Sequence, residues 1–244
     1  MHKRTIALTA AFLGLIGAAA AQTAPAKADS PAIPRMPDGH PNLNGIWDHP
    51  YVPDVSKDGS NQKGAGPLPF TEWGAENFKN YDVSKFDYTG HCLPFGLMRS
   101  QNVGGYPIQI MQYGDYMAYL FEQSTWFHVI AMNRDHPKHL EPTWFGDSVG
   151  KWDGDTLVVD TIGMNGKTRI DTIGHPDSDQ MHIIERISFI DRDHLNYEVT
   201  VEDPKTYTKP WKNTRTYWRM KPGEELIEYS CEENNRDLTL GHIK

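Results

Sequence analysis

Met181-His-Ile-Ile-Glu185-Arg-Ile-Ser-Phe-Ile190-Asp-Arg-Asp-His194-Leu-Asn-Tyr197-Glu-Val-Thr-Val-Glu202 reads as two strands folded about a turn. In its second half Leu195, Tyr197, Val199 and Val201 alternate with His194, Asn196, Glu198, Thr200 and Glu202. Successive side chains of a strand point to opposite faces, so this strand has one dry face and one wet face. In the first half Met181, Ile183, Ile187 and Phe189 share a face, and Glu185 stands among them. The Asp191-Arg-Asp-His194 run between the halves has the composition of a hairpin turn. Working outward, strands are expected at 108–113, 116–123, 126–133, 148–152, 156–162, 214–220 and 226–232, with turns at Gly114-Asp115, Asp153-Gly-Asp155 and Pro222-Gly223. Eight or nine consecutive strands on short turns predict an all-β antiparallel meander, and a meander of that size removes its exposed edges by closing into a barrel. The one helical signal is Thr71 to Lys79, where Phe70, Trp73 and Phe78 mix with acids. No internal repeat is present.

The N-terminus has a different character. His2, Lys3 and Arg4 precede an apolar run from Ile6 to Gly17 and then Ala18 to Ala21, the order of a secretory signal peptide cleaved after residue 21. Residues 22–36, with Pro25, Pro31 and Pro34 but few large side chains, predict a flexible leader. Residues 37–244 then form a single barrel domain, long enough for a real core. The expected location is the periplasm or the exterior. No segment is long and apolar enough for a membrane helix. The net charge is −8 and becomes more negative once Lys3 and Arg4 are removed, which argues against nucleic acid and anionic membranes as partners. The sequence does not set an oligomeric state. Two cysteines, Cys92 and Cys231, far apart in a chain bound for an oxidising compartment, favour a disulfide over a redox or metal pair, although spacing alone does not fix the geometry.

Parity also assigns polar groups to the barrel interior. Trp126, His128, Ile130 and Met132 share one face, and Tyr119 lies with Met117 and Phe121 on the preceding strand. An interior carrying Tyr119, His128, Glu185 and Tyr197 makes a pocket for a small, partly aromatic molecule. The bland alternatives are a hydrogen-bonded core histidine at 128 and a buried ion pair of Glu185 with Arg186, Arg215 or Arg219. A second concentration of chemistry is Asp171, His175, Asp177, Asp179 and His182. Its irregular spacing matches no compact metal motif, so a metal-free acidic loop at the barrel mouth is expected, with a bound metal as the alternative. Neither a Gly-x-Ser-x-Gly elbow nor a Gly-rich phosphate loop occurs, so no cofactor is expected and any chemistry is acid–base, electrophilic or metal-assisted in kind.

The Gly45-Ile-Trp47 run resembles the Gly-x-Trp at the base of lipocalin barrels, which implies a lipocalin-like closure. Gly146-Asp-Ser-Val-Gly-Lys-Trp152-Asp-Gly-Asp155-Thr-Leu-Val-Val-Asp160-Thr, His182-Ile-Ile-Glu185-Arg186, Asp203-Pro-Lys-Thr-Tyr207-Thr-Lys-Pro-Trp211 and Glu228-Tyr-Ser-Cys231-Glu-Glu-Asn234 together resemble a largely uncharacterised family of exported bacterial β-barrel proteins. The chain departs from that family at Asp177, where a histidine is common, and at His128, where an arginine is common. The leader and motif style resemble sphingomonad proteins, a group that contains cofactor-independent lyases of lignin-derived aromatics. The expectation is therefore a cofactor-independent lyase or isomerase for a small aromatic substrate. Glu185 is its general base and His128 or Tyr197 its acid or oxyanion donor, with His175 and Asp171 as further catalytic candidates. Tyr119, Trp126, Arg186 and Trp47 are the ligand contacts. The rival is a non-catalytic carrier of a small hydrophobic ligand.

Overall fold

The computed structural model describes residues 32–102, 105–233, 235 and 236. The expected signal peptide and most of the leader lie outside these residues. In chain order the elements are β1 (Gly45–Asp48), β2 (Gln62–Lys63), α1 (Glu72–Asn80), α2 (Val83–Phe86), α3 (Leu97–Asn102), β3 (Ile108–Tyr113), β4 (Tyr116–Phe121), β5 (Phe127–Met132), β6 (Asp147–Asp153), β7 (Thr156–Ile162), β8 (His182–Asp191), β9 (His194–Glu202) and β10 (Trp211–Arg219). The β8–β9 hairpin has the register that its alternation requires: Glu185 faces Val199 and Ile187 faces Tyr197 across the ladder. A one-residue slip would turn Glu185 and all its apolar neighbours to water.

The strands hydrogen-bond in the order β1-β3-β4-β5-β6-β7-β8-β9-β10, and β1 pairs again with β10 through Trp47–Arg219 and Asp48–Trp218. The result is an all-β closed barrel of nine strands, compatible with a lipocalin-like closure. Because β1 is only four residues long, part of the β10 edge would stay open. The extra strand β2 covers it at Thr214 and Arg215, as exposed edges require.

Two expectations are corrected. The meander is not wholly antiparallel: β5 and β6 run parallel through Ile130–Ser148 and Met132–Gly150. The connection over residues 133–146 returns along the barrel before β6 begins, and a parallel pair needs a crossover of about that length. The second correction concerns 226–232, which form no strand. The β10 edge is already taken by β1 and β2, so this segment leaves the barrel and is tied by the Cys92–Cys231 disulfide, with Cα atoms 5.5 Å apart. Ile227 is 68% exposed there, which its apolar neighbours in sequence did not foretell.

The two ends of the barrel differ. One carries the tight turns near Gly114, Gly154 and Asp191–His194. The other carries the β1–β3 segment with all three helices, and the β7–β8 and β9–β10 connections. Helix α1 begins where Thr71 accepts a hydrogen bond from the Gly74 amide, an N-cap, one residue from the expected start. Between the ends, Trp47, Leu157, Val159, Ile183, Leu195, Val199 and Val201 are wholly buried. Trp47 donates from Nε1 to the Leu43 carbonyl at 2.9 Å, and the Arg219 guanidinium lies 4.1 Å above its ring.

Candidate functional site

β8 carries Glu185 into the middle of the barrel, with Val159 of β7 and Val199 of β9 as its ladder neighbours. Its carboxylate is solvent-inaccessible, and among the described residues no cation lies within ion-pair distance. Arg186 projects from the opposite face and bonds Asp153 at 2.9 Å, Arg219 lies near Asp193 at 3.6 Å, and Arg215 donates from Nε to Asn213 at 3.0 Å. The buried ion pair weighed as the bland reading is therefore not made. One hydrogen bond supports the group: the Tyr197 hydroxyl donates to Oε1 at 2.8 Å. Oε2 has no partner. Burial disfavours the charged form and pushes Glu185 up to about 7, with the Tyr197 bond as the opposing influence.

Tyr119, on β4, is buried with an unpartnered hydroxyl. Burial first and the field of Glu185 second hold both Tyr119 and Tyr197 well above the ordinary phenol range. Both are therefore donors at any physiological pH. The polar surface continues in two directions. On one side the Tyr119 ring lies 6.3 Å from that of His128, whose Nε2 is 2.7 Å from Ser148 Oγ, and Ser148 bonds Thr161 in turn. Burial lowers His128 to about 4, so it is a neutral imidazole in a satisfied chain of hydroxyls. On the other side the Tyr197 ring stacks on Tyr217 at 5.1 Å. Tyr217 donates to the Gln101 carbonyl of α3 and stacks on His49 at 5.0 Å. Arg215 is buried here with Nη1 and Nη2 unpartnered, and burial lowers it to about 10. Burial and then Arg215 lower His49 to about 3.

The sequence pattern thus places Glu185, Tyr197, Tyr119 and His128 on one interior surface. Of the expected ligand contacts, Trp126 is half-buried just before β5, 6.4 Å from Phe145, and Trp47 packs in the core. Arg186 is on the outer face. Tyr217, His49 and Ser148 were not expected as parts of the site, and Arg215 was expected only as a possible ion-pair partner of Glu185. Strand β10 offered a signal, since Trp211, Asn213, Arg215 and Tyr217 share one parity. Two polar residues in that set make its inward face look like the outward one.

The Asp171 and His175 pair lies elsewhere, in the β7–β8 connection. Asp171 Oδ2 accepts from His175 Nδ1 at 2.6 Å and from the Val55 amide at 3.0 Å, while Oδ1 accepts from the Gly174 and His175 amides. His175 is also packed against Phe78, 4.5 Å between ring centres. Asp54 completes a trio with ligand atoms close together, but its Oδ1 already accepts from Ser56 N and Oγ. A cation here would compete with N–H donors for Asp171 and with the Asp171 hydrogen bond for His175 Nδ1, while Asp54 Oδ2 accepts no hydrogen bond among the described residues. The rest of the expected cluster is dispersed: Asp179 lies 3.6 Å from Lys205, and His182 sits on the outer face between Asp160 and Glu202.

The chain matches no known family model and no curated protein. The resemblance to exported bacterial proteins therefore rests on the quoted motifs alone.

Proposed function

We propose that the barrel interior is an acid–base site and that the protein is a cofactor-independent lyase or isomerase acting on a small aromatic compound. The observation that carries this reading is Glu185: a buried carboxyl pushed up to about 7, with no cationic partner among the described residues and one oxygen unpartnered. A base is most effective when its pKa lies near the working pH. In this reading Glu185 removes the proton, Tyr197 holds Oε1 through its single O–H, and Tyr119, whose hydroxyl is unpartnered, donates to the oxyanion that develops on the substrate. Arg215, with two free guanidinium nitrogens, offers a place for a substrate acid group. His128, Trp126 and Trp47 act as wall, and Asp171 with His175 as a fastening at the mouth. Because Glu185, Tyr119 and Tyr197 are at most 1% exposed, this reading requires the barrel to open locally to admit substrate.

Location in the periplasm or outside the cell belongs to the same reading. It is supported by the disulfide and by the N-terminal sequence, and among the described residues no helix is long and apolar enough to cross a membrane. The test is a panel of lignin-derived aromatics incubated with wild type and Glu185→Gln, with products identified by mass. Turnover by wild type that disappears in a folded Glu185→Gln variant is expected. Ligand that binds tightly and returns chemically unchanged would establish the carrier instead.

A further inference from the structure

We propose that the cleft between α1 and the β7–β8 connection is a second ligand site, separate from the barrel interior, and that it takes a hydroxylated aromatic carboxylate. The cleft encloses about 430 Å³, within the range of small-molecule sites, and shares no lining residue with the interior cluster. Its walls are aromatic: Trp73, Tyr81, Phe86 and Tyr88. Trp73 and Phe86 stand 38% and 52% exposed at the rim, an arrangement that leaves apolar surface in water unless something covers it.

Three cations reach the same cleft in a chain that is acidic as a whole. The Arg169 guanidinium is fixed 4.0 Å above the Tyr81 ring and donates to Asn77 Oδ1 at 2.5 Å. Lys205 lies 4.9 Å above Trp73, already near Asp179. Lys167 has no carboxylate within 4.0 Å among the described residues. A planar guanidinium held rigid by stacking is suited to a carboxylate. At the floor is Asp177, 4% exposed. Thr168 donates to its Oδ2, and Oδ1 is buried without a partner. Burial pushes this carboxyl up to about 6, against the Thr168 bond and Arg169, with Asp203 adding to the rise. A buried acceptor of this kind is costly until a donor meets it. One molecule answers all three features: a ring for the walls, an anionic group for Arg169 and Lys167, and a hydroxyl donor for Asp177. An aromatic acid without the hydroxyl leaves Asp177 unmet, and a neutral phenol leaves the cations unmet.

The experiment titrates the full mature chain with 4-hydroxybenzoate, benzoate and 4-hydroxybenzyl alcohol, followed by calorimetry and by heteronuclear NMR shifts. Saturable 1:1 binding of 4-hydroxybenzoate is expected, with the other two weaker by about tenfold or more, roughly one lost charge-assisted hydrogen bond each. Arg169→Ala should weaken it by a similar factor. Lys167→Ala, at an exposed position where folding is not at stake, should weaken it several-fold. Asp177→Asn should narrow the gap between 4-hydroxybenzoate and benzoate, and Glu185→Gln should leave binding unchanged. Absence of saturable binding would overturn the proposal. So would binding indifferent to both Lys167→Ala and Arg169→Ala, or binding lost in a folded Glu185→Gln variant, which would place the ligand in the barrel.

Discussion

Replacing Glu185 by Gln should change stability by an amount that grows more favourable to the variant as pH rises. The carboxyl rises from its ordinary 4.5 to about 7 on folding. An acid whose folded pKa is raised binds its proton more tightly in the native state. Below about 4.5 it is protonated in both states and costs nothing. As pH climbs from 4.5 toward 7 the unfolded chain ionises first, and the folded state is progressively penalised. Above 7 the penalty levels off at about 3 kcal/mol, at ~1.4 kcal/mol per pKa unit. Gln keeps the size of the side chain and an acceptor for Tyr197 but never ionises. Its amide must find acceptors of its own, and Tyr119 Oη is an unpartnered candidate on the same surface. The stability difference between Glu185→Gln and wild type should therefore rise by about 3 kcal/mol from pH 4.5 to pH 8, whatever its value at the acid end. Urea unfolding of both proteins across that range measures it. Taking the difference removes other titrating groups, Asp177 included, that lie apart from this site. A difference that stays flat with pH would show that Glu185 is solvated in solution, a difference that falls with pH would show a cation paired with it, and either result would end the acid–base reading.

Asp171→Ala should cost about 3 kcal/mol or more, because it strands the amides of Val55, Gly174 and His175 and the His175 ring that Asp171 now holds; unfolding by denaturant checks this, and a loss below ~1 kcal/mol would refute the fastening role. Reducing Cys92–Cys231, which are 139 residues apart, should lower stability by up to about 5 kcal/mol on the loop-entropy model, seen as a shift of the guanidinium midpoint with reductant. On the outer face, burial opposes but Arg134 and His136 outweigh it in holding Asp147 below its ordinary value. That stabilisation is complete above the unfolded pKa of about 4 and is lost as pH falls through the lower folded value. Asp147→Asn should accordingly lose stability at pH 7 and converge on wild type near pH 2 in thermal melts, and equal losses at both pH values would contradict the assignment.

Strands β3, β4, β5, β7, β8 and β9 were legible because one side of each is largely apolar, and parity alone put Glu185, Tyr197, Tyr119 and His128 inside. Parity failed where the inward face is itself polar. On β10, Asn213 and Arg215 point inward, so the strand offered no dry face to recognise. It also failed where apolar composition is not buried, as at Ile227. The parallel step between β5 and β6 was invisible for another reason: a crossover is a property of the path of 133–146, not of any strand's alternation. The helices α2 and α3 are too short to carry a period. The cleft beside α1 joins Trp73, Arg169, Asp177 and Lys205 from three separated segments, and no local pattern brings such residues together.

The contrast between the two buried acids bears on catalysis against carriage. Asp171 accepts four hydrogen bonds from surrounding N–H groups, so its charge is spent on structure and its burial is compensated within the fold. Glu185 accepts one, keeps an oxygen unpartnered, and has no cation beside it among the described residues. A barrel that only sequesters an apolar ligand gains nothing from such a group, since Gln or Leu at 185 would bind the same ring without the penalty above pH 7. In the reading proposed above, the free energy that disfavours the ionised form inside the barrel is the same free energy that would make the carboxylate a stronger base toward a substrate.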